Sequence, residues 1–313
     1  MITLTRVLST WRKRLFTIGL ILGLALFLRQ VWVAFVALKL HNPGSIKIPY
    51  LLAALGANLS IYVLMMLAWP LLMWYLGTSL SVRDTVQGYC LTFIPRYIPG
   101  SVWGYLSRSQ WLKQAHHIDY GVSMMGSVLE GLGLLLTGVF MAGLYLCFQL
   151  AGVAQLLLAC TCLGLLVGTW LIVPKLAVQL ARRIAKDSFS LPDNRPSRTG
   201  AWSVAITLYL LLWVAFGASL LLASNAIAPD RTNDLPAAVF VASLSWVIGF
   251  VIVFVPAGLG VRELATSTLL AQYLAFPSWQ ADLVPVLSRA GLIIAELVWL
   301  LVGLALFLRS RNE

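Results

Sequence analysis

Phe93-Ile-Pro-Arg-Tyr-Ile-Pro-Gly-Ser-Val-Trp103 and Phe254-Val-Pro-Ala-Gly-Leu-Gly-Val-Arg-Glu263 interrupt a chain that is otherwise almost continuously apolar. Proline removes a backbone donor and glycine relaxes φ, so each stretch is expected to break a membrane helix and free N–H and C=O groups. In hydrocarbon such groups persist only where protein or a water-filled cavity satisfies them. The two Phe-x-Pro starts lie 161 positions apart in a chain of 313, one in each half. Paired broken segments in corresponding halves point to a substrate site in a transporter and allow an inverted pseudo-repeat.

The rest of the composition sets the class. Hydrophobic residues make up 60% of the chain and charged residues 11%, with a mean hydropathy of +0.89, against about a quarter charged in ordinary globular domains. The expectation is an all-α polytopic membrane protein forming one integral domain over 1–313. Runs long enough to span, about 20 residues at helical rise, fall near 15–38, 50–76, 121–148, 152–174, 201–224, 236–255 and 282–308. The stretch 258–276 is an eighth candidate that either spans or is re-entrant, since it includes Arg262 and Glu263. Residues 1–28 resemble a signal peptide but lack a small-x-small cleavage site, so an uncleaved first helix is expected.

Basic residues orient the bundle. A cytoplasmic N-terminal segment, 1–14, and a main cytoplasmic loop at about 175–200 collect Arg6, Arg12, Lys13, Arg14, Lys175, Arg182, Arg183, Lys186, Arg195 and Arg198. The opposite side receives only Lys39, Lys47 and Arg231. Eight spans put both termini in the cytoplasm, with 84–112 entering and returning from that side. The net charge of +11 flanks helices and forms no stripe with interleaved aromatics, which disfavours nucleic acid and fits anionic lipid headgroups. Trp11, Trp32, Trp202 and Trp279 fall near span ends, as expected of an interfacial belt, whereas Trp246 and Trp299 lie deeper, where packing is their expected role.

Several side chains suit chemistry in principle. Cys90, Cys147, Cys160 and Cys162 lie in apolar segments without the second ligand pair of a zinc site, and act as small hydrophobes. His116 and His117 adjoin Asp119 in a polar link where solvation accounts for them better than a metal. No nucleophile–base pair or phosphate loop can be picked out, and Gly131-Leu-Gly133 and Gly258-Leu-Gly260 lack a dinucleotide-binding context. No cofactor is therefore expected. Small residues at Ser123, Ser127 and Gly131, and again at Gly164 and Gly168, permit close helix packing within the bundle, with a homodimer as the alternative.

Charge inside the spans carries more information. Glu130 shares the small-residue stripe, and a charge at membrane depth costs about 2.5–3.5 kcal/mol on insertion scales, so it faces a partner or a cavity. Arg289 and Glu296 lie about two turns apart on one face of the last helix. Arg289 facing Glu130 or Glu263, with Glu296 facing Arg96 or Arg108, would neutralise them. At the breaks, Pro99-Gly100-Ser101 and Pro256-Ala-Gly258-Leu-Gly260 open helices whose free N–H groups and positive dipole ends bind anions. With Arg96, Arg108 and Arg262 they form a basic environment for a phospholipid or polyprenyl-phosphate headgroup. Two Pro-kinked helices with snorkelling arginines are the structural alternative.

These residues resemble a known family, the membrane domain of lysylphosphatidylglycerol synthases, the flippase-like domain of the multiple peptide resistance factor, and its stand-alone relatives. The likeness lies in Tyr97-Ile-Pro99-Gly100-Ser-Val-Trp103-Gly104 with Arg108 and Ser127-Val-Leu-Glu130. It lies above all in Val255-Pro256-Ala-Gly258-Leu-Gly260-Val-Arg262-Glu263. The resemblance implies a bacterial inner-membrane bundle that moves or handles anionic lipids, lipid-linked amino acids or lipid-linked sugars. No soluble aminoacyl-transferase domain follows the last helix, so aminoacylation by this chain alone is not expected. The reading is a lipid flippase in which Arg96, Arg108 and Arg262 hold the anion, Glu130 and Glu263 balance or gate it, and the glycines expose backbone N–H groups. A membrane-embedded transferase with Glu263 or Glu130 as base, or a non-catalytic partner of an envelope glycosyltransferase, remain the alternatives.

Overall fold

A computed structural model describes residues 2–41, 46–90, 92–97, 103–176, 179, 195–229, 233–252 and 255–312. Among these residues every regular element is helical. In chain order the helices are α1 (Ile2–His41), α2 (Ile48–Tyr75), α3 (Val82–Cys90), α4 (Trp103–His116), α5 (Tyr120–Gln149), α6 (Gly152–Leu171), α7 (Arg195–Ile227), α8 (Leu235–Val251), α9 (Val261–Tyr273) and α10 (Ser278–Asn312). Two short 3-10 turns, Pro95–Tyr97 and Pro256–Gly258, stand at the two interruptions read from the sequence.

Local chemistry fixes several ends. Asp119 caps α5, its carboxylate accepting from the Gly121 and Val122 N–H groups at 2.8 and 3.2 Å. Asp234 caps α8 by accepting from the Ala237 N–H at 2.9 Å, next to Pro236, whose missing donor costs nothing in the first turn. Helix α1 begins at Ile2, within the N-terminal segment 1–14. Within the stretch read as the main loop, about 175–200, residues 195–200 belong to α7.

Six helices are long and apolar enough to cross a membrane: Leu20–Leu40 within α1, α2, α5, α6 extended to Leu176, α7 from Thr199, and α10 to Arg309. Helix α8 has 17 residues, about 26 Å at helical rise, and α9 has 13, about 20 Å, against a hydrocarbon core of about 30 Å. Polar α9 owes its place to its neighbours α8, α10 and α1. Topology is testable directly. Reporters fused after Glu313 and within 185–198 are expected to read cytoplasmic and one at 228–233 external, and an external C-terminus would remove the eight-span scheme.

The core forms where α2 lies along α7 and α5 closes over both. Trp69, Tyr209 and Trp213 are fully buried there. Glycines on α5 admit them: a Cβ on Gly133 would stand 2.8 Å from the Tyr209 ring, and one on Gly138 2.8 Å from Trp213. Trp202, placed at a span end by sequence, is also core, whereas Trp32 is exposed and Trp279 half-buried. The α5 stripe does pack closely, with the buried Ser123 and Ser109 hydroxyls 3.1 Å apart. Gly164 and Gly168 have no comparable neighbour. Of the cysteines, Cys90, Cys147 and Cys162 are buried and Cys160 is exposed.

Candidate functional site

The two 3-10 turns touch each other, and beside them lies a cavity of about 160 Å³ lined by residues of α2, α3, α4, α5, α7, α8, α9 and α10 and by both turns. Chain segments 161 positions apart in sequence thus share one wall. Six of the residues expected at a site line it: Arg108, Glu130, Gly258, Arg262, Arg289 and Glu296.

On one side, Arg108 and Glu130 form a direct, fully buried ion pair. Arg108 also donates to Ser127 Oγ at 3.0 Å, and its guanidinium lies 4.3 Å from the Trp69 ring and 5.1 Å from that of Tyr89. The Tyr89 hydroxyl completes the group by donating to Glu130 Oε1 at 2.5 Å. Charge, phenol and aromatic face together offset the desolvation of two ions, which a bare pair does poorly.

On α10, Glu296 accepts from the Tyr62 hydroxyl at 2.6 Å and from that of Tyr97 at 2.7 Å. Tyr97 belongs to the first break, so the last helix grips that turn through a carboxylate. Two turns earlier, Arg289 Nε stands 3.7 Å from Glu263 Oε1 and its guanidinium 5.8 Å from the Tyr97 ring. Of the two partners read from sequence for Arg289 it faces Glu263, while Glu130, the other, pairs with Arg108, which had been read as a partner for Glu296. Tyrosines hold Glu296 in addition, and nothing in the sequence pointed to them, because a phenol carries no charge to be balanced.

The second break is more self-contained than expected. The N–H groups of Gly258, Leu259 and Gly260 are taken by Val255 O, Pro256 O and Glu263 Oε2, the last at 2.6 Å. Glu263 is therefore the cap of α9, reaching back from the third helical position, and its negative charge already occupies the helix dipole. Ala257, Gly258 and Gly260 all have positive φ, at 49°, 66° and 76°. The fold holds a strained turn here of the kind found where backbone conformation serves a site. Arg262 lies across two glycines: a Cβ on Gly258 would be 2.8 Å from its Cδ, and one on Gly249 would collide with its Cγ.

The remaining expected residues stand elsewhere. Pro256 is buried in the turn, and Trp103 is exposed at the start of α4. Gly260 faces α1, where a Cβ would meet Phe27 N at 2.6 Å and Gly23 O at 2.7 Å. Glu263 lines a smaller chamber of about 40 Å³ that shares Arg262 and Arg289 with the main cavity. Pro99, Gly100 and the Arg96 side chain lie outside the described residues. Sequence reasoning missed Tyr62, Tyr89 and Tyr105, and it assigned Trp246 to packing although that ring lines the cavity. Among the described residues no group of three or more His, Cys, Asp or Glu could hold a metal.

A polytopic helical bundle with a charged cavity between two broken segments is thus defined by the fold. The family model described as lysylphosphatidylglycerol synthase TM region matches residues 14–290, and the chain belongs to that family. None of the curated proteins matches it.

Proposed function

We propose that the chain carries an anionic phospholipid, or a lipid-linked substrate bearing a phosphate, across the bacterial inner membrane, with the headgroup received in the cavity between the two breaks. The supporting observation is the set of three arginines, Arg108, Arg262 and Arg289, lining one cavity in a family of membrane domains named for lipid synthases. Arg108 and Arg289 are buried and Arg262 half-buried, and a cation among apolar helices is costly unless a carboxylate or a ligand offsets it. The Nε atoms of Arg108 and Arg289 lack a hydrogen-bond partner among the described residues, so both retain donor capacity for phosphate oxygens. With the α9 start capped by Glu263, guanidiniums rather than that helix end are the anion's contacts at the second break.

The test is transfer of fluorescent phosphatidylglycerol and phosphatidylcholine in proteoliposomes. Arg262→Gln is expected to slow the anionic lipid roughly tenfold or more, the worth of a charge-assisted hydrogen bond, and to leave phosphatidylcholine unaffected. Equal slowing of both lipids, or of neither, would remove the arginines from headgroup recognition.

A further inference from the structure

Helix α10 carries a ladder of contacts. Asp282, Arg289, Glu296 and Gly303 follow one another at seven-residue steps, about two turns each and so on one face. Asp282 accepts from the Ser267 hydroxyl at 2.5 Å and Arg289 faces Glu263, so α9 runs antiparallel to the first half of α10. Glu296 accepts from Tyr97 of the first break. A Cβ on Gly303 would meet Cys90, and Arg83 donates to Leu306 O at 3.3 Å, so α3 lies along the second half. From Asp282 to Leu306 the helix rises about 36 Å, more than a hydrocarbon core of about 30 Å.

The remaining arms complete the pattern. His116, which ends α4, stands 3.5 Å from Asp84 in the first turn of α3. Helices α3 and α4 therefore enter and leave on the side of the C-terminal end of α10. The ring of Phe240, near the start of α8, lies 4.8 Å from that of Tyr273, which ends α9. Helices α8 and α9 enter and leave on the opposite side. Each pair is a hairpin that turns back at the level of the cavity, where the two turns touch.

Backbone strain is placed at the ends of these arms. Among the described residues the non-glycine residues with positive φ are His117, Ala257 and Ala275, at 54°, 49° and 51°. Helix α9 has one beyond each end: Ala257 in the turn before Val261 and Ala275 just after Tyr273. Such conformations collect at switch regions, and hinges are element-terminal positions of this kind. Beside Ser267, Gln30 of α1 also donates to Asp282, at 3.1 Å. Hydroxyl, amide and carboxylate can exchange these bonds for water as the arm moves.

We propose that α9 is the gate between the cavity and the membrane face at the N-terminal end of α10, pivoting on its two strained ends and latched at Asp282. The inference rests on the lipid-carrying reading above, since a carrier has to open its cavity to each face in turn. Basic residues make the gated face external. Arg262, the second residue of α9, lines the main cavity, so a swing of the gate moves an arginine of the headgroup site with it.

The test uses the full chain with its four cysteines replaced by alanine and Thr92→Cys in the cavity wall. An impermeant anionic methanethiosulfonate is added to right-side-out and to inverted vesicles, and modification at position 92 is read by mass spectrometry. Thr92→Cys is expected to react from the face opposite the one a Glu313 reporter marks. Adding Ser267→Cys/Asp282→Cys, oxidised to a disulfide, is expected to slow that reaction roughly tenfold or more, by removing the open state, and to leave reaction from the other face unchanged. No reaction from the gated face, no slowing by the disulfide, or slowing from both faces overturns the gate. Should that pair not fold, Gln30→Cys/Asp282→Cys bridged by a short bis-methanethiosulfonate closes the same latch. Phosphatidylglycerol transfer in proteoliposomes is expected to stop on oxidation and return on reduction, and transfer that continues through the disulfide also overturns the gate. Gated labelling without any transfer in the reduced protein removes the lipid reading and leaves the gate standing.

Discussion

Arg108→Met is expected to destabilise the bundle by about 3–5 kcal/mol, the cost of stranding the partner of a buried ion pair. Glu130 would keep the Tyr89 hydroxyl but lose the guanidinium that balances its charge, with Trp69 and Tyr89 losing the cation over their rings. The double variant Arg108→Met/Glu130→Gln is expected to regain most of that stability, since the amide oxygen still accepts from Tyr89 and no charge is left buried. Thermal unfolding in detergent measures both. A single variant within about 1 kcal/mol of wild type, the range of an exposed pair, would mean that water reaches these side chains freely.

Gly260→Val and Gly258→Ala are expected to part company, although the two glycines sit two residues apart in one turn. At Gly260 the φ of 76° is joined by contact with the backbone of α1 at Phe27 and Gly23. Strain of about 1–3 kcal/mol for the conformation and about 1–3 kcal/mol for overpacking make loss of the α1 contact, and of much of the fold, the expected outcome. At Gly258 the nearest atoms belong to the flexible Arg262 side chain. That variant is expected to fold with a modest loss and to bind phosphatidylglycerol weakly, because the arginine is displaced. Thermal unfolding with lipid binding on the same preparations separates the two, and equal thermal losses would contradict the distinct environments.

The contrast shows where sequence reading stopped. Pro256, Gly258, Gly260 and Arg262 announced a break at membrane depth, and the turn at Pro256–Gly258 is there. Which glycine serves the site and which admits α1 depends on a helix more than 200 residues earlier, and no local pattern reports that. Glu263 was legible as one of two partners for Arg289, because charges in an apolar chain have few places to go. Tyr62, Tyr89 and Tyr97 were not, since tyrosine is unremarkable in such a sequence until a carboxylate is seen beside it. The same blindness placed Trp202 at a membrane surface, since a tryptophan near a span end reads alike whether it faces headgroups or the core. The stretch 258–276, read as either spanning or re-entrant, holds α9, whose 13 residues are fewer than the about 20 of a straight spanning helix.

Helix α10 is made after every other described helix, and it carries both a buried arginine, Arg289, and a buried glutamate, Glu296. Tyr62, Tyr97 and Glu263, which hold Glu296 and face Arg289, all precede it in the chain. At the translocon each such charge works against insertion of an isolated helix. The order of synthesis therefore supplies the receiving groups before these charges arrive, so α10 enters the membrane beside helices whose polar contacts are already waiting.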